Sequence, residues 1–347
     1  MSVTGSVRVL DTAFMEFASP RPQDLIKQLR RMGFRQAGRH RARAITWMRQ
    51  GGVNFIVNAE PATHAAGFAQ AHGPSCAGMA FLVEDVPAAM ELARRLGAQA
   101  ATMAAASLVP AGALRGIGDS ALYLVDARAI AELKSAFEFT LVDEPAMPFQ
   151  RIDHVTHCVH PGHMADWVAF YERIFGFEQV FKFVAGNEQN GFDTVAVRAL
   201  DSAACVTVIE PMGRASQIQE FIDEYRGEGI QHVAMASGDL YTTVERLVSE
   251  GIEFLPTPAA YYEALDERVP GHGEDIARLR NLNMLLDGAN TGENPDDKAR
   301  LLLQIFTRKM VGPIFFEAIQ RKGDTSFGEG NAKALFEAIK REQEGAA

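Results

Sequence analysis

Three cysteines in 347 residues (Cys76, Cys158 and Cys205) are too few, odd in number and too irregularly spaced for a disulfide framework. They read instead as small buried hydrophobes of a protein kept in a reducing cytoplasm. Long apolar runs are missing as well. No stretch reaches the length of a membrane span, and the opening MSVTGSVRVLDTAF has neither the basic start nor the apolar centre of a secretion signal. Positive charge is in short supply: 34 Lys and Arg stand against 44 Asp and Glu, a formal net charge of −10. That balance excludes nucleic acid or an anionic membrane as the main partner. No segment is of low complexity. Hydrophobic residues at 47% and charged residues at 22% describe a globular chain with a real core, and the length suggests about two domains.

The sequence contains one small module written four times. Each copy opens with a strand-like run, passes through an amphipathic helix and ends in further strands. The openings are LDTAFMEFASP, CAGMAFLVED, IDHVTHCVHPG and IQHVAMASGD. Each following helix ends at a glycine, Gly33, Gly97, Gly176 or Gly251, as a C-terminal cap requires. The fold class expected is α+β, with four βαβββ modules paired into two barrel-like domains. A boundary within EPAMPFQ, over Pro145–Gln150, divides an N-terminal domain (1–148) from a C-terminal one (149–347). The closing FGEGNAKALFEAIKREQEG reads as a helix that opens after a glycine-rich turn.

Aligning the openings sets Thr12 against His154 and Gly78 against His232. The N-terminal pair of modules lacks both histidines and is expected to be structural, leaving the chemistry to the C-terminal pair. A single histidine in a strand is usually a hydrogen-bonded core residue. Two at matching positions of paired modules converge on one cavity. Glu317 sits within the apolar stretch IFFEAI, where an unpaired charge is costly and a metal cation removes the objection. Two imidazoles and a carboxylate leave three coordination positions open, which suits Fe(II) with a chelating substrate and O2. His157 points away from His154 by strand alternation, His160 and His163 fall in a turn, and His40, His64, His72 and His272 read as solvated.

At these residues the chain resembles the 4-hydroxyphenylpyruvate dioxygenase family of the vicinal-oxygen-chelate superfamily. The matching motifs are IDH (152–154), SQIQEF (216–221), GIQHVA (229–234), LLLQIFT (301–307), FFEAIQRKG (315–323) and FGEGN (327–331). The resemblance implies Fe(II) held by His154, His232 and Glu317. It implies Gln231, Gln304 and Asn331 as catalytic amides and a substrate pocket that includes Gln217, Phe306, Phe315 and Phe327. Phe306 and Phe327 resemble the pair that sandwiches the substrate ring, and the C-terminal helix resembles the family's lid. A cytoplasmic homo-oligomer that takes a 2-oxo acid and O2 and yields homogentisate is the implied whole.

Four positions bear on the product. The family's P-[IL]-N-E stands here as Thr207-Val208-Ile209-Glu210, Ala332 replaces an aromatic residue after GN, and Thr194 replaces a serine. The related 4-hydroxymandelate synthases resemble T-x-I-E at this strand, and they hydroxylate the benzylic carbon of the same substrate. A wider pocket for a different aryl or alkyl 2-oxo acid is a third reading of these positions. Two readings of other kinds are an extradiol ring-cleaving dioxygenase and a metal-free binder of small aromatic ligands.

Overall fold

The computed structural model describes residues 5–101, 108–110, 112–140, 143–145, 148–289 and 300–345. Eight strands belong to the first half: β1 (Asp11–Ala18), β2 (Arg35–His40), β3 (Ile45–Gln50), β4 (Val53–Asn58), β5 (Ser75–Leu82), β6 (Ala113–Arg115), β7 (Ala121–Val125) and β8 (Phe137–Phe139). Eight more belong to the second: β9 (Arg151–Cys158), β10 (Glu178–Ala185), β11 (Phe192–Arg198), β12 (Cys205–Pro211), β13 (Gly229–Ala236), β14 (Leu285–Ala289), β15 (Arg300–Phe306) and β16 (Phe315–Lys322). They form two curled sheets, ordered β6-β7-β5-β1-β4-β3-β2-β8 and β10-β11-β12-β9-β13-β16-β15-β14. This is the paired-module α+β architecture that the repeats predict. Ala146 and Met147 of the expected boundary lie outside the described residues.

In the second sheet the two modules meet along an antiparallel seam, β9 against β13. Each opening strand is flanked on its other side by a parallel neighbour, β12 or β16. The parallel pairs require crossovers, and the amphipathic helices Met164–Phe175 and Leu240–Ser249 supply them. Asp239 caps the second of these by accepting from the Thr242 amide, and Gly251 ends it at a φ of 76°. The first sheet departs from the expected module at one edge. β8 does not join β6 and β7 but pairs with β2.

The repeat alignment needs one correction. In the second sheet His154 pairs with Ala234 and Thr156 with His232; in the first, Phe14 pairs with Ala80 and Glu16 with Gly78. Gly78 does answer His232, but the counterpart of His154 is Phe14 and not Thr12. The ladder irregularities fall at equivalent places in the two sheets, so the offset comes from aligning LDT with IDH and not from a bulge. A side chain at Gly78 is also shut out, since its Cβ would lie 2.7 Å from the Ala121 carbonyl oxygen.

The halves share one continuous apolar core. Phe17 of β1 and Phe55 of β4 hold their rings 6.0 and 5.7 Å from that of Phe316 on β16. Two helix ends are joined reciprocally. Arg31 Nε donates to the Glu250 carbonyl at 2.9 Å, and Arg246 Nη1 donates to the Met32 carbonyl at 3.3 Å.

Candidate metal centre and active-site cavity

Register alone gathers the candidate ligands. His154 of β9 lies opposite Ala234 of β13, and Ala234 lies opposite Glu317 of β16. His232, two residues before Ala234, shares its face. The small Ala234 leaves the space between the three larger side chains open. One ligand atom from each of His154, His232 and Glu317 lies within 4.8 Å of the others, and all three residues are buried. Glu317 Oε2 is 3.3 Å from His154 Nε2 and 3.7 Å from His232 Nε2. No second group of this kind occurs among the described residues.

The far nitrogen of each ring is occupied. His154 Nδ1 is 3.1 Å from Asp153 Oδ1, and His232 Nδ1 is 3.0 Å from Gln231 Oε1. Acceptors there assign the proton to Nδ1 and leave Nε2 free to bind a metal. Thr156 Oγ1 lies 2.8 Å from His232 Nε2 and can donate to it.

Burial works against charge on either ring. At His154 it is overcome by the Glu317 carboxylate and the Asp153 hydrogen bond, and the pKa rises to about 9. At His232 burial, reinforced by the charge on His154, holds the pKa well below the ordinary value. The pair therefore accepts one positive charge and refuses a second. A divalent cation between Glu317 and two neutral imidazoles answers the same field, so the donors present fit a metal ion.

Above the centre opens a cavity of about 700 Å³, in the range of small-molecule sites. Its lining includes every candidate from the sequence: Thr194, Thr207, Ile209, Gln217, Gln231, Gln304, Phe306, Phe315, Phe327, Asn331 and Ala332. The amides are wired together. Gln304 Nε2 donates to Glu317 Oε1 at 2.8 Å, and Asn331 Nδ2 donates to Gln304 Oε1 at 2.8 Å. Tyr261 donates its hydroxyl to Asn331 Oδ1 at 2.5 Å. Phe315 stacks on His232 with ring centroids 4.7 Å apart, and Phe327 stands edge-on to His154 at 5.4 Å. Gln217 is exposed at the start of the helix Gln217–Tyr225. The hydroxyls of Thr194 and Thr207 are buried without a hydrogen-bond partner. Ala332 lies near the start of the C-terminal helix Glu329–Gly345, which also lends Leu335, Phe336 and Ile339 to the lining.

Other histidines fall partly as expected. His157 faces away from the centre, 2.7 Å from the Tyr171 hydroxyl, and exposed His163 meets Glu228 at 2.6 Å. None of the four expected to be solvated is exposed: His40, His64 and His72 are half-buried and His272 is buried. His72 stacks on Tyr225 at 4.6 Å, and buried His272 lies 3.0 Å from Asp266. Sequence reasoning missed Asp153 and Thr156 beside the ligands. Thr156 carried a signal, since it is two residues from His154 on one strand. It also missed Phe181 and Phe183 on the cavity wall and the short helices Ala259–Glu263, Leu265–Arg268 and Ile276–Asn281.

Comparison with known proteins agrees with this geometry. Residues 6–139 match the family model "Hydroxyphenylpyruvate dioxygenase, HPPD, N-terminal", and residues 151–265 match "Glyoxalase/Bleomycin resistance protein/Dioxygenase superfamily". A 4-hydroxyphenylpyruvate dioxygenase from Pseudomonas aeruginosa is 41% identical over 95% of this chain and 93% of its own. The chain belongs to the 4-hydroxyphenylpyruvate dioxygenase family. Hemolysin VllY of Vibrio vulnificus is 42% identical, over 90% of this chain and 88% of its own. A substituted 4-hydroxymandelate synthase from Streptomyces coelicolor superposes with a TM-score of 0.77 at 28% identity, over 97% of this chain and 99% of its own. The fold is thus the vicinal-oxygen-chelate fold of the 4-hydroxyphenylpyruvate dioxygenase family, and the chain is a dioxygenase-type enzyme of that family.

Proposed function

We propose that the C-terminal half carries an Fe(II) site at His154, His232 and Glu317, and that the enzyme converts 4-hydroxyphenylpyruvate and O2 to homogentisate and CO2. The observation that carries the reading is the buried two-histidine, one-glutamate centre at the floor of an aromatic, amide-lined cavity. Three such ligands leave half of an octahedron open, and the choice of iron rests on this donor set and on the family. Bound there, the metal supplies the redox chemistry that couples O2 to decarboxylation of a 2-oxo acid.

The chain's own residues bind, orient and exclude water. Gln304 holds one Glu317 oxygen, so the carboxylate presents the other to the centre. Gln231 and Asp153 fix the two imidazoles. Phe306, Phe315 and Phe327 offer flat apolar faces for an aromatic ring and keep the site dry. Thr194 and Thr207 hold out the two unpaired hydroxyls for polar atoms of the substrate. Gln217 stands at the exposed margin of the cavity and offers its amide to the substrate.

A specific observation favours a second product. Ile209 and Ala332 both line the cavity; the Ile209 side chain cannot hydrogen-bond a ring substituent, and Ala332 offers little bulk against the ring. A ring displaced by about 1 Å presents a different carbon to the oxidant. The alternative is therefore 4-hydroxymandelate, by benzylic hydroxylation of the same substrate. The test is reconstitution with Fe(II) under anaerobic conditions, then addition of 4-hydroxyphenylpyruvate and O2. The two products are isomers of one mass, so retention time and fragmentation identify them. Homogentisate supports the first reading, and 4-hydroxymandelate assigns the synthase. An iron-loaded protein that consumes neither O2 nor substrate rejects both.

A further inference from the structure

Asp153 is the most heavily engaged carboxylate near the centre. Its side chain is 2% exposed and takes hydrogen bonds from three residues. His154 Nδ1 lies 3.1 Å from Oδ1, Arg151 donates to Oδ2 at 2.9 Å, and Arg321 forks onto both oxygens at 2.8 and 3.1 Å. Arg321 does more than neutralise it. The remaining arm, Nη1, donates to the Ser326 carbonyl at 2.6 Å and approaches the Asp324 carbonyl at 3.4 Å. These carbonyls belong to the turn that leads into the C-terminal helix. The same guanidinium lies 5.4 Å from the ring centroid of Phe327, and that ring stands edge-on to His154 at 5.4 Å. The contacts close a circuit: His154, Asp153, Arg321, Phe327 and back to His154.

We propose that Arg321 is a positioning residue that ties the His154 imidazole to the turn carrying Phe327, so that loading the centre and seating the C-terminal helix are coupled. The inference rests on the reading of His154 as a metal ligand. A planar fork with five donors can hold a carboxylate on one side and two carbonyls on another; an ammonium cannot span both. A carboxylate on the far nitrogen of a ligand imidazole fixes its tautomer and direction. Arg321 sets where that carboxylate sits. The turn hung from the same guanidinium ends at Gly328 (φ 82°), whose carbonyl accepts the Ala332 amide at 2.9 Å in the first turn of the helix. Coupling of this kind is reciprocal: a metal that stiffens His154 stabilises the turn, and a seated turn strengthens metal binding.

Arg151 supplies the control, because it binds Asp153 but neither turn carbonyl. The experiment uses the full chain with Co(II) as probe. Binding is followed by the visible absorption of bound Co(II), and the seating of residues 328–339 by amide hydrogen exchange with and without the metal. In the wild type Co(II) is expected to slow exchange over 328–339. In Arg321→Gln, Co(II) binding weakens by about 10- to 100-fold, its absorption bands shift, and the metal no longer slows exchange in that segment. Arg321→Lys keeps the charge and should restore affinity in part, with little of the coupling. Arg151→Gln should weaken Co(II) binding and keep the coupling.

Unchanged exchange over 328–339 when wild-type protein takes up Co(II) would overturn the proposal without any variant. So would an Arg321→Gln protein in which Co(II) still slows that exchange. A wild type that binds no Co(II) would reject the metal reading itself, and this inference with it.

Discussion

Tyr123 occupies in the first sheet the place that Glu317 occupies in the second. Tyr123 of β7 pairs with Ala80, two residues beyond Gly78, and Glu317 of β16 pairs with Ala234, two residues beyond His232. With Phe14 in the place of His154, the first half offers a ring, a glycine and a phenol where the second offers three ligands. Instead of meeting a cation, the Tyr123 hydroxyl donates to Glu16 Oε2 at 2.7 Å, and Asn58 donates to Oε1 at 2.7 Å.

Metal titration of the full chain should therefore saturate at one equivalent. Glu317→Ala should lower the affinity by at least about 10- to 100-fold and abolish turnover. Tyr123→Phe should leave metal binding unchanged. It should instead lower the unfolding free energy by about 1–3 kcal/mol, because buried Glu16 loses a donor. Calorimetric titration and urea unfolding read the two effects separately.

His157 gives a pH dependence of stability that is separate from the centre. Burial holds its pKa down to about 3, and its Nε2 meets the Tyr171 hydroxyl. An unfolded chain binds a proton there below about pH 6.5, whereas the folded chain refuses it. Stability is complete above that pH and falls by about 1.4 kcal/mol for each unit below it. Unfolding free energies at pH 7.0, 6.0 and 5.0 should show this slope, and His157→Gln should flatten it. An unchanged slope in the variant would remove His157 as its source.

Thr194→Val and Thr207→Val separate binding from folding. Each hydroxyl is buried and unpartnered, so an isosteric methyl should leave stability unchanged or raise it by about 1 kcal/mol. If substrate supplies the missing partner, each change should also raise KM by about 3- to 10-fold with a smaller effect on kcat. Thermal melts and steady-state kinetics on the same preparations decide it. A lower melting temperature with unchanged KM would make the hydroxyls structural.

Phe316→Ala should act across the whole molecule. The ring is fully buried between Phe17 and Phe55 of the other half, and its loss leaves a cavity at the joint. The expected cost is about 3–5 kcal/mol, seen as an earlier urea midpoint. Far-ultraviolet ellipticity and metal release should still coincide in one transition. Two separated transitions would show that the halves unfold independently.

The ligands were legible because strand register is periodic: matching histidines in two opening strands, and a charge inside an apolar strand, reach one face by arithmetic. The cavity candidates came through motifs on strands, at two helix starts and in the turn before the C-terminal helix. The ladder irregularities were not legible. The pairing shifts near Phe14 and Phe17 in one sheet and near His232 and Met235 in the other, and no periodicity announces them. They fall at equivalent places in the two sheets, however, and the match of Thr12 to His154 comes from aligning LDT with IDH, two residues off the register that the ladders share. Asp153 and Arg321 are 168 residues apart in the chain, and neither residue type signals the other. His272 owes its burial, and His40, His64 and His72 their partial burial, to packing that their local sequences do not reveal. The helices between 259 and 281 are each six residues or fewer, too short for a helical repeat to show.

The ligands surround Ala234 on three neighbouring strands, so the centre is spelled by alignment and not by loops. Inserting or deleting one residue within β9, β13 or β16 would turn a ligand toward the opposite face while leaving the sheet intact. Natural length variation should accordingly gather in the connections and stop short of these strands. The same arrangement makes the chemistry easy to lose without loss of shape. The first half is what such a sheet looks like once the letters at three positions have been changed.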